Sequence, residues 1–392
     1  MFESFAAYAS AFCYFAALAG SAYALFAIWA ARSFVRRPRP VALANCSPIT
    51  ILKPLHGAEP DLYANLASFC RQDYSAPVQI VFGLADPADP AAAVVRRLIA
   101  DFPDCDLELL INARRHGANA KVSNLINMQS AARHDTIVIA DSDIVAPPDY
   151  LTDVVANLGQ PGVGLVTCLY RGVGATGIWS RLAAAGIDYQ FLPNVLVGLE
   201  LGLATPCFGS TIAVTKVTLT KLGGLQSVAD QLADDYALGM AARRAGLKVA
   251  IAPFIVTHVC AEQSLRELLL HDIRWARTIR AVDPFGFAGL AVTYAVPLAL
   301  IGLLLGGLTP ATSVVAVALG CRFALQAELH RLFQLGNGWS ISGGHFWLGP
   351  IRDVLSFVVF VASFCGRGVE WRGRRYGVRA DNTLARYGEA ES

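Results

Sequence analysis

The residues able to do chemistry fall into a few short groups. Val78-Gln-Ile-Val-Phe-Gly-Leu-Ala runs into Asp86, and Thr136-Ile-Val-Ile-Ala runs into Asp141-Ser142-Asp143. A D-x-D pair brings two hard oxygen ligands within reach of one divalent ion, which suits Mg2+ or Mn2+ shared with phosphate oxygens. The same tripeptide also serves as a plain solvated turn, so its position at the end of an apolar run carries the metal reading. Between these acids, His116-Gly-Ala-Asn-Ala-Lys-Val-Ser-Asn-Leu takes a glycine-containing loop into a helix whose first turns present Lys121 and Asn124. Helix N-terminal amides and an ammonium both favour an anion, so this is either a seat for phosphate or sugar hydroxyls or simply a solvated lysine. Ala233-Asp234-Asp235-Tyr236 opens another helix, where the carboxylates either act on a ligand or only complement the helix dipole. Residues 262–280 carry Arg266, His271, Arg274, Arg277 and Arg280 beside Leu268, Leu269, Leu270, Ile273 and Trp275. That basic, amphipathic pattern fits an interfacial anchor on anionic headgroups. It also allows Arg274 to face a diphosphate with Trp275 packed beneath it.

These groups need a frame. Apolar runs at 49–52, 78–84, 107–111, 136–140, 164–169 and 248–252 predict strands, and helical patterns occur near 61–72, 90–101, 121–133, 232–245 and 262–280. Such alternation argues for an α/β domain with a mostly parallel sheet flanked by helices. In sheets of that kind ligands bind beyond the carboxyl ends of the strands, where Asp86 and Asp141-Ser-Asp143 fall. At more than 200 residues, the stretch 45–280 can bury its own core.

The flanks belong to lipid. Of the 392 residues 55% are apolar and only 16% charged, with a mean hydropathy of +0.46, too apolar for an ordinary soluble chain. Ser4 to Ala31 contains no charge and is long enough to cross a hydrocarbon core as a helix. Glu3 precedes it and Arg32, Arg36, Arg37 and Arg39 follow, the reverse of a cleavable signal and a placement that puts the following chain in the cytoplasm. Further spans are expected near 286–306 and 311–329, with Gly306, Gly307, Thr309 and Pro310 as the turn between them. A third, about 346–365, is interrupted by Arg352 and Asp353, which could pair with each other or with Arg322 and Glu328. If all three cross, the arginine-rich tail ends outside, against its charge, so one of them is expected to be re-entrant or interfacial. The expected organisation is an N-terminal anchor (4–31), a cytoplasmic domain (45–280), a C-terminal region of two to three membrane helices (284–366) and a basic tail (367–392). The apolar stretch Phe191 to Leu203 is either an interfacial lipid entrance or a core helix of the domain. A net charge of +2 gives no footprint for nucleic acid, and nine scattered cysteines without a C-x-x-C suggest reduced, mostly buried thiols.

Taken in order, Asp86, Asp141-Ser-Asp143, Asp234-Asp235 and His271-Asp-Ile-Arg-Trp275 resemble the D, D-x-D, D, Q/R-x-x-R-W signature of membrane glycosyltransferases of the processive and ceramide-glucosylating type. Leu52-Lys-Pro-Leu and Gly117-x-Asn119-x-Lys121-x-x-Asn124-Leu125 match the ceramide glucosyltransferase group, and the resemblance covers nearly the whole chain. Within that group, Ser68-Phe-Cys-Arg-Gln-Asp-Tyr, Asp86-Pro-Ala-Asp-Pro, His116-Gly-Ala-Asn and Ala229-Asp-Gln-Leu-Ala-Asp-Asp-Tyr look most like bacterial hopanoid-biosynthesis glycosyltransferases. His271 departs from the usual Gln or Arg, which leans away from polymer synthesis.

The resemblance implies an A-type nucleotide-sugar-binding domain in a bacterial inner membrane, facing the cytoplasm, and inverting transfer of N-acetylglucosamine from its UDP derivative to bacteriohopanetetrol. Asp86 would contact the uridine, Asp141 and Asp143 would hold Mg2+ or Mn2+ and the diphosphate, and Asp235, with Asp234 as the alternative, would be the general base. Arg274 would stabilise the leaving group; Lys53, Asn119, Lys121, Asn124, His271 and Trp275 would complete the donor site. The alternatives are ceramide glucosyltransferase chemistry with UDP-glucose or, in another class, an inactive membrane-anchored binding protein.

Overall fold

The computed structural model describes residues 2–41, 46–204, 206–306, 311–334, 346–366, 368–371, 374–378 and 383–386. The chain begins with α1 (Phe2–Val35), then β1 (Ile49–Pro54), α2 (Leu62–Cys70), β2 (Val78–Leu84), α3 (Ala91–Asp101), β3 (Asp106–Ile111) and α4 (Ala120–Met128). There follow β4 (Thr136–Ile139), β5 (Ile144–Val145), α5 (Tyr150–Leu158), β6 (Val163–Gly174), α6 (Ile178–Gly186), a π-turn (Ile187–Phe191) and α7 (Leu192–Glu200). Next are β7 (Ile212–Thr215), α8 (Lys216–Lys221), α9 (Asp234–Arg244), β8 (Lys248–Cys260) and α10 (Leu265–Val282). The last part holds α11 (Pro284–Gly289), α12 (Ala295–Gly306), α13 (Ala311–Gln334) and α14 (Gly349–Ser363), then β9 (Gly368–Trp371), β10 (Arg374–Val378) and β11 (Leu384–Arg386).

The chain divides into two compact units. The first comprises Met1–Arg36, Gly172–Ala204 and Glu262–Arg375; the second comprises Arg37–Arg171, Thr205–Ala261 and Tyr376–Ser392. Two pieces of the 45–280 stretch, 172–204 and 262–280, therefore cluster with the apolar helices instead of the sheet.

Among the described residues, the sheet unit holds eight strands in the order β3-β2-β1-β4-β7-β6-β8-β5. β3, β2, β1 and β4 run parallel, with Leu52 opposite both Val81 and Ile139. Every residue of β1 is buried, as expected of a strand covered on both faces. β7 pairs antiparallel with β4 and β6, and β5 pairs antiparallel with β8. Leu52, Val81, Val122, Leu125, Ile139 and Leu238 share one core, which clamps α4 and α9 onto the sheet.

The helical unit is built for lipid. Phe5, Tyr8, Phe12 and Phe15 of α1 are exposed, whereas Ala17, Ala24, Ala27 and Ala30 are buried. Small residues on one face let helix backbones approach closely, the usual way apolar helices associate where lipid is as apolar as the side chains. Ser10 Oγ and Tyr14 Oη both donate to the carbonyl of Gly302, at 3.0 and 2.9 Å. Among the described residues, four helices, Phe5–Val35, Ile178–Glu200, Thr312–Phe333 and Phe346–Ser363, are long and apolar enough to cross a membrane. A fifth candidate, Pro284–Thr293 with Ala295–Gly306, is bent by 62° and is a broken span or a re-entrant loop. Gly307, Thr309 and Pro310 of the expected turn, and half of the basic tail, lie outside the described residues. Asp353 pairs with Arg322 and Arg352 with Asp272 at 2.8 Å, while Glu328 pairs with Arg32 and Arg331. The stretch 191–203, expected either at the membrane interface or in the core of the sheet domain, is α7 of the helical unit, with Leu192, Pro193, Leu196 and Val197 buried.

Candidate active site

The carboxyl ends of β1 and β4 lie side by side because the two strands are parallel and in register from Ile49 and Thr136. Lys53, near the end of β1, therefore meets the turn after β4, and its Nζ donates to the Asp141 carbonyl at 2.7 Å. The side chain is fully buried and the ammonium lies 3.5 Å from the centre of the Phe69 ring. Burial lowers the Lys53 ammonium to about 7 despite the opposing charges of Asp143, Asp141 and Glu59. One residue into the same turn, Ser142 Oγ donates to Glu59 at 2.9 Å.

A second contribution comes from α4. Asn119 caps that helix, its Oδ1 accepting from the Val122 amide at 3.0 Å, an arrangement that satisfies an otherwise unpaired helix donor. The Asn119 Nδ2 reaches across to the Gln231 carbonyl at 2.8 Å and to Asp234 Oδ1 at 3.2 Å. One cap thus fixes both the start of α4 and the acids that open α9. Two residues on, Lys121 Nζ lies 2.5 Å from Asp141 Oδ1. Burial disfavours the Lys121 cation, but Asp141, Asp234 and Asp235 outweigh it and hold the group above its ordinary value.

Asp235 is gripped by backbone. Its Oδ2 accepts from the Gly209 amide at 2.8 Å and its Oδ1 from the Tyr236 amide at 2.7 Å. Burial first, then the neighbouring Asp234 charge, raise its carboxyl to about 6, against the pull of Lys121 and the two amides. Burial also raises Asp234 and Asp143, the latter with Asp141 adding to the shift and His258 opposing it. Gly209 is where the cluster converges: a Cβ there would lie 2.9 Å from Lys121 Nζ, 3.1 Å from Asp141 Oδ2 and 3.4 Å from Asp235 Oδ2. Without a side chain at this position, one cation and two acids can close in on the Gly209 backbone.

The donor set suits a divalent ion shared with a substrate. Asp141 and Asp143 offer hard oxygens, and His258 Nδ1 stands 3.5 Å from Asp143 Oδ2. No three His, Cys, Asp or Glu among the described residues form a ready metal cage. Mg2+ commonly binds through one or two carboxylates with the rest of its sphere from phosphates and water, and Mn2+ accepts the same ligands. His258 reaches this place because β8 continues to Cys260 and pairs with β5, setting His258 opposite Ile144.

The other expected site residues divide. Asp86 lies just beyond β2, exposed, and accepts the Ala88 amide at 2.8 Å. Asn124 is buried and its Nδ2 donates to the Gly83 carbonyl at 2.8 Å, tying α4 to β2. His271, Arg274 and Trp275 lie on α10, in the helical unit. There His271 Nδ1 meets Glu262 Oε1 at 2.6 Å, and the Trp275 ring stands edge-on to His271 and near Phe191. Cys207 is buried, and burial pushes its thiol up, as is usual of a packing cysteine. Gly209, His258 and Glu262 were not singled out from the sequence; the run Phe254-Ile-Val-Thr-His258 extending the last strand was the available signal for one of them.

Residues 12–384 match the family described as glycosyl transferase family 21, and the chain belongs to that family. It is similar to ceramide glucosyltransferase 1 of Caenorhabditis elegans, 28% identical over 241 residues, 60% of this chain and 50% of that protein. It is 34% identical over 145 residues to the ceramide glucosyltransferase of Gibberella zeae, 34% of this chain and 28% of that one. The chain spans about half the length, or less, of these curated relatives. Among solved structures, a mannosyltransferase from Pyrobaculum calidifontis in complex with GDP-Man and Mn2+ superimposes with a TM-score of 0.52. The match is 20% identical and covers 91% of this chain and 99% of that one, a likeness of fold.

Proposed function

We propose that this family 21 chain is an inverting, membrane-bound glycosyltransferase that moves N-acetylglucosamine from UDP-N-acetylglucosamine to a hydroxyl of a membrane lipid, bacteriohopanetetrol. The observation that carries the reading is the convergence of Lys121, Asp141 and Asp235 beside Gly209. A sugar diphosphate needs cations and a metal-binding acid pair; an incoming hydroxyl needs a base whose protonation changes near neutral pH. Asp235, raised to about 6, meets that need, and Asp234 is its neighbour and alternative. Asp141 and Asp143, with His258, would hold Mg2+ or Mn2+, which neutralises charge on the departing diphosphate when bound. Lys121 stays protonated and adds to that neutralisation; Lys53 steadies the Asp141 turn through the backbone. Asp86 would meet the uridine, and His271, Arg274 and Trp275 of α10 would serve the leaving group and the acceptor. Asn119 and Asn124 would act on the donor through the α4 loop that they fix.

The similarity to ceramide glucosyltransferases favours a second reading with UDP-glucose and ceramide. An inactive binding protein has no use for a base held near neutrality beside two metal-binding acids. In the bilayer, α1 would place the sheet unit in the cytoplasm of a bacterial inner membrane. A re-entrant 284–306 pair and a non-crossing 178–200 helix would leave three crossings and return the arginine-rich tail to the cytoplasm.

The test is transfer of radiolabelled sugar from UDP-N-acetylglucosamine, and separately UDP-glucose, to bacteriohopanetetrol and to ceramide, with Mg2+ or chelator. Label in the hopanoid, lost with chelator and lost by at least a hundredfold in Asp235→Asn with donor binding retained, is the expected result. Label only in ceramide moves the acceptor to the second reading, and label in neither overturns the enzyme reading.

A further inference from the structure

Ser142, between the two acids of the Asp141-Ser142-Asp143 turn, is held by a loop that also grips the end of the neighbouring strand. This loop, residues 55–61, follows β1. It begins by extending the ladder, with the Leu55 amide donating to the Gly83 carbonyl at 2.9 Å. Gly57 then turns the chain at a φ of +76°, a conformation that a residue without Cβ adopts at no steric cost. Asp61 closes the loop at a φ of 59° and is the only non-glycine residue at positive φ among those described. Conformations of that kind persist where the surroundings over-determine them.

Two carboxylates do the determining. Asp89, in the loop after β2, accepts the Gly57 amide on both oxygens, at 3.0 and 2.9 Å, and the Ala91 amide at 2.9 Å. Its side chain is only 9% exposed, and His56 Nδ1 stands 3.6 Å from it. Two residues after Gly57, Glu59 accepts Ser142 Oγ at 2.9 Å. Hydrogen bonds that end on an ionised carboxylate are roughly twice as strong as neutral ones. A chain of contacts therefore runs from Asp89 through Gly57 and Glu59 to Ser142, linking the loop that carries Asp86 to the turn that carries Asp141 and Asp143. Neither acid of the D-x-D pair spends its carboxylate in this link. The turn is gripped by its serine hydroxyl and, through Lys53, by the Asp141 carbonyl.

We propose that Glu59 is a positioning residue that, through Ser142, ties the metal-binding turn to the Asp86 loop, so that a pyrimidine nucleoside and a divalent cation bind cooperatively without touching each other. The relay rests on the donor reading above, in which Asp86 meets uridine and Asp141 and Asp143 hold the cation. Uridine separates the relay from direct ligation, because it carries no phosphate oxygen to offer the cation. Coupling between two binding sites is reciprocal, so each ligand tightens the other by the same factor.

Mn2+ binding to the full chain in detergent micelles is followed by electron paramagnetic resonance of the free ion, without and with saturating uridine. Binding of UDP together with Mn2+ checks that the donor site is competent. Uridine is expected to tighten Mn2+ about fivefold, the lower end of ordinary coupling between sites. Glu59→Ala and Ser142→Ala should each reduce that factor to less than about twofold, and the double variant should lose no more than either single one, as two groups in one link require. Ser142→Thr keeps the hydroxyl and should keep the factor. If Glu59→Ala does not fold, the two Ser142 variants decide. A uridine factor of one in a wild type that binds UDP with Mn2+ overturns the relay and leaves the donor reading in place. So does a full factor surviving in folded Glu59→Ala or Ser142→Ala, or a loss in Ser142→Thr as complete as in Ser142→Ala. A wild type that binds no UDP with Mn2+ overturns the donor reading, and the relay falls with it.

Discussion

Asp235 shows how a single side chain trades stability for use. Its folded carboxyl is raised to about 6, against about 3.9 for an unperturbed aspartate. Between those values the folded chain binds more protons than the unfolded one, so this group's contribution to stability falls as pH rises from about 4 through 6. The basic form needed to accept a hydroxyl proton appears over the upper part of that same window. Transfer should therefore rise from pH 5 to pH 7 with a midpoint near 6, measured as kcat/KM for the acceptor at saturating donor and metal. A rate flat across that range would remove Asp235 from the role. The acids of this cluster were legible from sequence because carboxylates at strand ends and helix starts advertise themselves. Gly209 was not, because its contribution is an absent atom whose importance depends on Lys121 and Asp141 arriving from two other elements.

Among the elements, α4 carries more than its length suggests, since its cap also steadies the segment opening α9. Asn119→Ala should cost about 1 kcal/mol of stability, the usual value of a lost N-cap. It should also lower kcat more than tenfold by releasing Asp234, a split that thermal melts and steady-state kinetics would show; a loss of stability with unchanged kcat would confine Asn119 to capping. The parallel strands β1 to β4 were readable from apolar runs that repeat between helical patterns. β5, at two residues, was not, because a segment so short takes its structure from the strand it pairs with; neither was β7, which pairs antiparallel with β4 and β6, outside the parallel alternation. The ends of β6 and β8 also ran beyond their expected limits. The 13-residue β8 goes on through Phe254-Ile-Val-Thr-His258, where pairing with β5 extends a strand that the 248–252 run only begins.

At the scale of the molecule, the helical unit combines lipid-facing aromatic residues with a few buried ion pairs, and the pairs set its tolerance to change. Asp353→Asn leaves the Arg322 guanidinium without its counter-ion, and removal of one partner of a buried pair typically costs ~3–5 kcal/mol. The double change Arg322→Leu with Asp353→Leu should cost clearly less than the sum of the two single changes, a coupling that denaturation of all four proteins in one detergent would measure. Additive losses would mean that the pair contributes nothing as a pair. The apolar helices at 5–35, 312–333 and 346–363 were readable from composition, but the 178–200 helix and the assignment of 172–204 and 262–280 to this unit were not, because they depend on contacts far apart in sequence. The same long reach sets a timetable for biosynthesis. Ser10 and Tyr14 of the first helix bond to Gly302, 292 and 288 residues later. At ~5–20 residues per second a ribosome needs roughly 15–60 s to cover that distance. During that interval the α1 hydroxyls of Ser10 and Tyr14 wait for their partner, so this helix is made long before its packing is complete.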